Sequence, residues 1–268
     1  MLEPGSSVPQ TVLADSDPRN AFTEVAVNTR FPATHYVFVG ITRRLDDATR
    51  EFAVLRYREL HGSLGEGAAV VGGLRFQGTG LPRFAVDEDE RIYVAMPKTE
   101  RSDPYSSNIL RFDADGTVPA QNRVASPVLA RGFSQPANLG WDGQLLVAIG
   151  TDEQWSHSAA VLNPDLPSSN WPQSLDPISM DTPTSVFTAA FSVGDSETTY
   201  GMRAFIDSSR RLFRVAPDAF ERKRRFEEVP LPSDFAPVSA AAGFDGQIYV
   251  IVRSAAGESF LLELAPGQ

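Results

Sequence analysis

The chain has 268 residues, of which 42% are hydrophobic and 22% are charged, as is ordinary for a globular protein. Its formal net charge of −10 argues against binding to nucleic acid or to an anionic membrane surface, because contact with phosphate groups requires an excess of Lys and Arg. The lack of Cys excludes disulfides, thiolate catalysis and Cys-ligated zinc.

The N-terminal segment MLEPGSSVPQ has neither the basic region nor the apolar region of a signal peptide. No later stretch approaches the length and hydrophobicity that a membrane-spanning helix needs. We therefore expect either a cytoplasmic protein or a chain that starts after a removed targeting segment, and the sequence does not separate these two.

One pattern then recurs along the chain: an apolar strand, a turn rich in Asp and Gly, a second strand, a polar loop and a third strand. A fourth strand is predicted after the first, second and fourth copies, and only 217–225 has the composition of a turn of helix. Three or four short strands in each period of about 50 residues are typical of a β-propeller blade. The sequence therefore predicts an all-β fold, a single β-propeller domain over 1–268, with blades at approximately 20–75, 80–132, 136–180, 184–232 and 237–268.

The pattern favours five blades, with six as the alternative if the irregular segment 164–184 contains a degenerate blade. The last copy lacks an evident fourth strand. We expect an N-terminal strand at 7–15 to supply it and to close the ring, because an open blade edge leaves a row of unpaired backbone groups.

The second copy ends in the acidic tetrapeptide Asp113-Ala-Asp-Gly116, which is either part of a calcium loop or a turn. An EF-hand loop needs a further oxygen ligand two residues after Asp115 and a Glu at its twelfth position, where this chain has Thr117 and Val124. Asp and Gly are also the usual residues of tight turns. The sequence therefore predicts a turn here and no metal.

Several of these segments resemble framework segments of the glucose/sorbosone dehydrogenase family, above all RSDPYSSNILRFDADGTVP, and also FAVDEDERIYVAMP and ARGFSQPANLGWDGQLLV. Members of that family are secreted or periplasmic propellers that oxidise aldose sugars with pyrroloquinoline quinone (PQQ) and calcium. The resemblance begins at Ala21 and lacks the family's opening blade. It implies a periplasmic or extracellular protein.

The chain differs from the family pattern at the residues that carry out catalysis and bind the cofactor in that family. The catalytic His of the family corresponds to Thr79 or Gly80, and its cofactor-binding Arg corresponds to Ser134. Thr cannot accept a proton near neutral pH, and Ser offers no positive charge to an acidic cofactor. We therefore expect no catalytic residue, no PQQ site and no calcium site.

The three His residues offer no replacement, because His35, His61 and His157 are far apart and lack the spacing of metal ligands. His157 lies near Trp155 in a polar loop, and a single loop His is usually a solvated side chain. A docking surface for a protein partner is instead predicted at two segments, the basic run 221–228, which Arg210 and Arg211 adjoin, and the loop 168–180. The candidate contact residues in these segments are Trp171, Met180, Arg222, Lys223, Arg224 and Arg225.

Three functional hypotheses remain. The first is a non-catalytic propeller that binds or scaffolds a protein partner, as an accessory subunit of a bacterial envelope complex. The second is a PQQ- and calcium-dependent aldose sugar dehydrogenase with a rearranged site. The third is a sugar-binding propeller without turnover, in which Trp141, Trp155 or Trp171 forms a stacking platform.

Overall fold

The computed structural model describes residues 12–264, except for 29, 100–102, 123–124, 133–134, 143–144, 152–157, 166–172, 175–177, 180–185, 192–201, 208, 218–223 and 243–246. The chain forms two compact units, Met1–Leu129 and Ala130–Gln268. The described residues are almost entirely strand and loop, with one short helix, α1 (Phe31–Thr34). No helix in the described part of the chain has the length and hydrophobicity needed to cross a membrane.

The first unit contains two antiparallel sheets built from consecutive strands. The first sheet has the order β1-β2-β3-β4, with β1 (Asn20–Ala26), β2 (Tyr36–Arg44), β3 (Thr49–Leu60) and β4 (Ser63–Gln77). In the second, the strands follow one another from β5 to β8, with β5 (Arg83–Val86), β6 (Ile92–Ala95), β7 (Asn108–Phe112) and β8 (Val128–Arg131), the last of which crosses into the second unit.

The second unit contains three sheets. The first comprises β9 (Gln135–Asp142), β10 (Leu145–Thr151), β11 (Ser158–Leu162) and β13 (Ile178–Ser179), while β12 (Gln173–Ser174) pairs in parallel with the end of β8. The next comprises β14 (Val186–Phe191), β15 (Met202–Asp207), β16 (Leu212–Pro217) and β17 (Arg224–Glu228). The last has three strands, β18 (Phe235–Ala242), β19 (Ile248–Ser254) and β20 (Ser259–Leu264).

The core of the first unit lies between its two sheets. Side chains alternate between the two faces of a strand, so Phe52 and Val54 of β3 point to the same side, where they are fully buried. They pack in one apolar cluster with Phe38, Phe84 and Val94. Burial of each such side chain contributes roughly 1.5–3 kcal/mol.

The same tight turn recurs at four places in the described part of the chain. In each, the first N–H donates to the carbonyl of the fifth residue, the fourth N–H donates back to the first carbonyl, and the fourth residue has a positive φ. This is a type I turn followed by a left-handed residue, a common three-residue hairpin connection. The four turns are Asp87–Arg91, Asp113–Thr117, Asp207–Arg211 and Ser254–Glu258.

The all-β prediction is confirmed, and each of the five predicted copies contributes one sheet. The third copy has a fourth strand, β13, that the sequence pattern did not predict. Of the predicted turn of helix at 217–225, residues 218–223 lie outside the described residues; its two described ends are strand instead, because Pro217 ends β16 and Arg224 begins β17.

The predictions about blade number and ring closure remain predictions. Residues 1–11 of the predicted strand 7–15 lie outside the described residues, and 12–15 are not in a strand. Of the segment 164–184, the described residues contribute only the two-residue strands β12 and β13 and the end of a turn.

Candidate functional site

The loop between β4 and β5 contains Thr79 and Gly80, the two residues that the sequence resemblance puts at the family's catalytic base. Gly78 starts this loop with a φ of +95°, Thr79 is exposed, and Gly80 is half-buried. The Thr79 hydroxyl cannot act as a base near neutral pH, and Gly80 has no side chain. The loop leads directly into Arg83, the first residue of β5.

A carboxyl group lies next to this end of β5. Glu24 follows a β-bulge in β1, where the pairing with β2 shifts between Phe22 and Glu24. Its Oε2 accepts a hydrogen bond of 2.9 Å from the backbone N–H of Phe84. The side chain therefore connects β1, an edge strand of the first sheet, to β5 of the second sheet.

The environment of Glu24 disfavours its charged form. Burial raises the pKa of Glu24 to about 7, and the positive charge of Arg83 and the Phe84 N–H only partly offset this effect. A carboxyl group with a pKa near 7 can both accept and donate a proton at neutral pH, which Thr79 cannot do. Unlike Thr79 and Gly80 of the β4–β5 loop, Glu24 can therefore act as an acid or a base near neutral pH.

Two buried polar atoms near Glu24 have no hydrogen-bond partner among the described residues. They are the Nε of Arg83 and the Oγ1 of Thr23, the residue at the bulge. Unpaired buried polar atoms are rare and are often a sign of strain or of a missing ligand or water. Glu24, Arg83 and Thr23 thus form a small polar cluster between the edges of two sheets.

The acidic tetrapeptide is a turn, as predicted. Gly116 has a φ of +81°, and its N–H donates to the Asp113 carbonyl at 2.8 Å. The Oδ1 of Asp115 accepts hydrogen bonds from the N–H and hydroxyl of Thr117, and these bonds lower the pKa of Asp115. The described residues contain no group of three or more His, Cys, Asp or Glu side chains placed to hold a metal ion.

The described His residues have local structural roles. His35 caps α1 in the left-handed conformation, with a φ of +56°, and its Nδ1 lies 3.1 Å from Oε2 of Glu59. Glu59 also accepts the N–H of Gly62, and these two hydrogen bonds lower its pKa. His61 is exposed at the β3–β4 hairpin. His157 lies outside the described residues.

Four of the six predicted partner contacts lie outside the described residues: Trp171, Met180, Arg222 and Lys223. Ser134 and Trp155 lie outside them as well. Arg224 and Arg225 lie in β17, where they pair with Pro217 and Ala216. Arg211 is bound to Asp207 at 2.8 Å. Trp141, in β9, is half-buried.

Glu24, in the segment NAFTEVAVNTR, was not predicted from the sequence as a functional residue. A bulge in β1 and the approach of β5 create its environment, and neither can be recognised from spacing. One signal was present: a Glu within an apolar strand is unusual unless its carboxyl has a partner.

No protein-family model matches the sequence, and no curated protein matches it either. Solved structures do match. The PQQ-bound aldose sugar dehydrogenase of Streptomyces coelicolor has 16% sequence identity and a TM-score of 0.63, with 94% of this chain and 81% of that chain covered. The apo aldose sugar dehydrogenase of Escherichia coli has 14% identity and a TM-score of 0.65, with 99% of this chain and 89% of that chain covered.

An oxidoreductase of Thermus thermophilus assigned as a glucose dehydrogenase has 17% identity and a TM-score of 0.64, with 97% of this chain and 86% of that chain covered. At these identities the likeness establishes the fold alone, which is the β-propeller fold of the glucose dehydrogenases. The resemblance predicted from the sequence is therefore confirmed at the level of fold.

Proposed function

We propose that this chain is a non-catalytic β-propeller that acts as a binding or scaffolding module for a protein partner. In this proposal the five sheets are five blades, and residues 7–15 complete the last sheet. The observation that carries the proposal is the dehydrogenase-like fold, taken together with an exposed Thr79 and a half-buried Gly80 where the sequence resemblance puts the family's catalytic base.

Among the described residues, those that the resemblance puts at the family's catalytic base do not suit the PQQ-dependent reaction. Thr79 and Gly80 supply neither charge nor a proton acceptor. The acidic tetrapeptide 113–116 forms a turn, in which Oδ1 of Asp115 accepts two hydrogen bonds from Thr117. A scaffold needs none of these groups, because its rigid sheets hold the connecting loops in place for a partner.

The family resemblance further suggests a periplasmic or extracellular location, in which the chain serves as an accessory subunit of a bacterial envelope complex. Tagged protein purified from the native source, followed by mass spectrometry, identifies the partner. A stoichiometric complex that survives gel filtration supports the proposal. A monomer at native abundance, with no retained subunit, argues against the scaffold function.

Titration with PQQ in the presence of calcium tests the catalytic part of the proposal. We expect no calcium-dependent uptake of PQQ by absorbance or calorimetry, and no reduction of a redox dye when glucose is added. Calcium-dependent uptake together with glucose-dependent dye reduction would overturn the proposal. The same assays on Glu24→Gln show whether any turnover that is observed requires this carboxyl.

The second candidate function is an active sugar dehydrogenase with a rearranged site. The pKa of about 7 for Glu24 favours it, because this carboxyl could accept a proton where Thr79 cannot. In that case Glu24→Gln abolishes turnover without weakening sugar binding.

The third candidate, sugar binding without turnover, would appear as quenching of tryptophan fluorescence by aldoses. Loss of that quenching in Trp141→Phe would assign the platform to Trp141. Quenching that persists in this variant would point to Trp155 or Trp171 instead.

A further inference from the structure

Two arginines lie directly opposite each other next to the hairpin that joins β2 to β3. Arg44 of β2 pairs with Arg50 of β3, and Thr42 pairs with Phe52 in the same ladder. Side chains opposite each other on one face are about 5 Å apart at their Cβ atoms, so two like charges here repel each other and destabilise the sheet.

The two arginines stand on the face that carries the core. Because side chains alternate along a strand, Thr42 and Arg44 share a face of β2, and Arg50 shares a face of β3 with the fully buried Phe52. Arg50 is half-buried, and Arg44 is exposed at the end of the strand. Arg44 and Arg50, here called the rim, thus lie at the solvent-exposed edge of the core face.

Arg19, next to the first sheet, and Arg43 and Arg75 within it have carboxylate partners, whereas Arg58 of β3 has none among the described residues. Asp17 lies 2.7 Å from Arg19 and 3.8 Å from Arg43, and Glu51 lies 3.7 Å from Arg75. In contrast, Arg44 and Arg50 form no ion pair and no side-chain hydrogen bond within the described residues.

The hairpin that joins β2 to β3 carries two carboxylates, both exposed. The Oδ1 of Asp46 accepts the N–H groups of Ala48 and Thr49 at 2.9 and 2.7 Å and so stabilises the turn. Asp47 has no such role, and its charge weakens the attraction of the rim for an anion.

A buried hydroxyl lies on the same face of the β2–β3 ladder as the two arginines, two residues before Arg44. Thr42 is 5% exposed, and its Oγ1 has no hydrogen-bond partner among the described residues. A polar atom left unpaired in a protein interior costs about 1–3 kcal/mol, so its retention points to a ligand or water that binds there. This observation is independent of the charges of Arg44 and Arg50.

We propose that Arg44, Arg50 and Thr42 form a binding site for a small dianionic molecule that carries phosphate or carboxylate groups. Guanidinium groups bind both oxyanions through paired, charge-assisted hydrogen bonds, and a bound dianion would relieve the repulsion between the two arginines. The Thr42 hydroxyl would donate a further hydrogen bond. The site requires neither PQQ nor calcium and is independent of the scaffold function.

Calorimetric titration with inorganic phosphate, and separately with citrate, tests this proposal at about 0.15 M NaCl, where non-specific attraction is screened. We expect saturable binding of at least one of them by the whole chain. Arg44→Gln and Arg50→Gln should each weaken binding about tenfold or more. Phosphate binding alone identifies a phosphate-bearing ligand, and citrate binding alone identifies a carboxylate.

Arg43→Gln is the matched control, because it removes the same charge from the neighbouring residue on the opposite face. It should change the affinity by less than about twofold, whereas Asp47→Asn should raise it. Thr42→Val should weaken binding and raise the melting temperature of the unliganded protein. Arg44→Gln should also raise that temperature, by removing a like-charge pair.

Two results overturn the proposal. One is the absence of saturable binding of either anion up to about 20 mM, which is weaker than a built site provides. The other is an equal loss of affinity in Arg43→Gln, which would show that only the general positive charge matters. Neither result bears on PQQ uptake or sugar turnover, so this proposal can fail while the proposed function stands.

Discussion

Gly116 is a residue whose replacement should destabilise the protein for two separable reasons. Its φ of +81° is left-handed, and a Cβ there would overlap the backbone carbonyl of Val70 in β4. The left-handed conformation costs a non-glycine residue about 1–2 kcal/mol. Forcing a methyl group against rigid backbone typically costs a further 1–3 kcal/mol or so. Gly116→Ala should therefore lower the free energy of unfolding by about 2–5 kcal/mol.

Gly257→Ala provides the matched control. Gly257 occupies the same position of the same turn, with a φ of +87°, but open space surrounds its Cβ position. Gly73→Ala is a second control, since Gly73 has a φ of +73° in open space and lies in the same compact unit as Gly116. Both variants should show only the conformational cost, about 1–2 kcal/mol.

Urea-induced unfolding, followed by circular dichroism and tryptophan fluorescence, measures these differences, provided that the two probes agree. The informative quantity is the excess loss in Gly116→Ala over the two controls. If this excess is zero, the turn does not press against Val70, and the explanation given for the glycine is wrong.

Two further predictions concern the carboxyl groups of Glu24, a half-buried residue, and Asp207, a fully buried one. The pKa of Glu24 in the folded state is raised from 4.5 to about 7, so the folded state binds more protons than the unfolded state between these pH values. The free energy of unfolding should therefore fall as the pH rises through this range, by at most about 3 kcal/mol, and by less to the extent that solvent reaches the carboxyl. Glu24→Gln should flatten that dependence in urea titrations at pH 4.5–7.5, and a variant that keeps the wild-type slope would show that another group is responsible. Asp207→Ala should destabilise the protein by about 2–4 kcal/mol, because the fully buried Asp207 carboxylate accepts the N–H and Nε of Arg211 at 2.8 Å each. Asp113→Ala, in a turn where only backbone hydrogen bonds are formed between the first and fifth residues, should cost less than half as much.

Much of the fold could be predicted from the sequence because each sheet is encoded locally. Alternating apolar residues gave the strands, and Asp-Gly pairs marked turns, as at Gly116. In two other turns the residue with a positive φ is Glu90 or Arg210 and not glycine. These turns are stabilised by their first residue, an Asp whose carboxylate accepts the N–H of the fifth residue. Strand β13 was missed because two residues carry no detectable period.

The candidate site was less predictable, because it depends on contacts between sheets. The Glu24 carboxyl accepts a hydrogen bond from Phe84, which lies 60 positions later in the sequence. The pKa of this carboxyl is raised because it is buried there. Likewise, Arg44 and Arg50 are unremarkable in sequence, and only the register of β2 and β3 places them opposite each other. The family resemblance singled out Thr79, which lies in a loop, but it could not indicate the carboxyl of Glu24 nearby.

Apart from the two-residue β12, every sheet is made from strands that follow one another along the chain. A duplication or deletion in the gene that spans about 50 codons would therefore add or remove a whole sheet while the hydrogen bonding of all the others stays intact. A lineage can shorten such a protein in one genetic event. The sheets that remain could then keep their shape long after the selection that produced the ancestral activity has ceased.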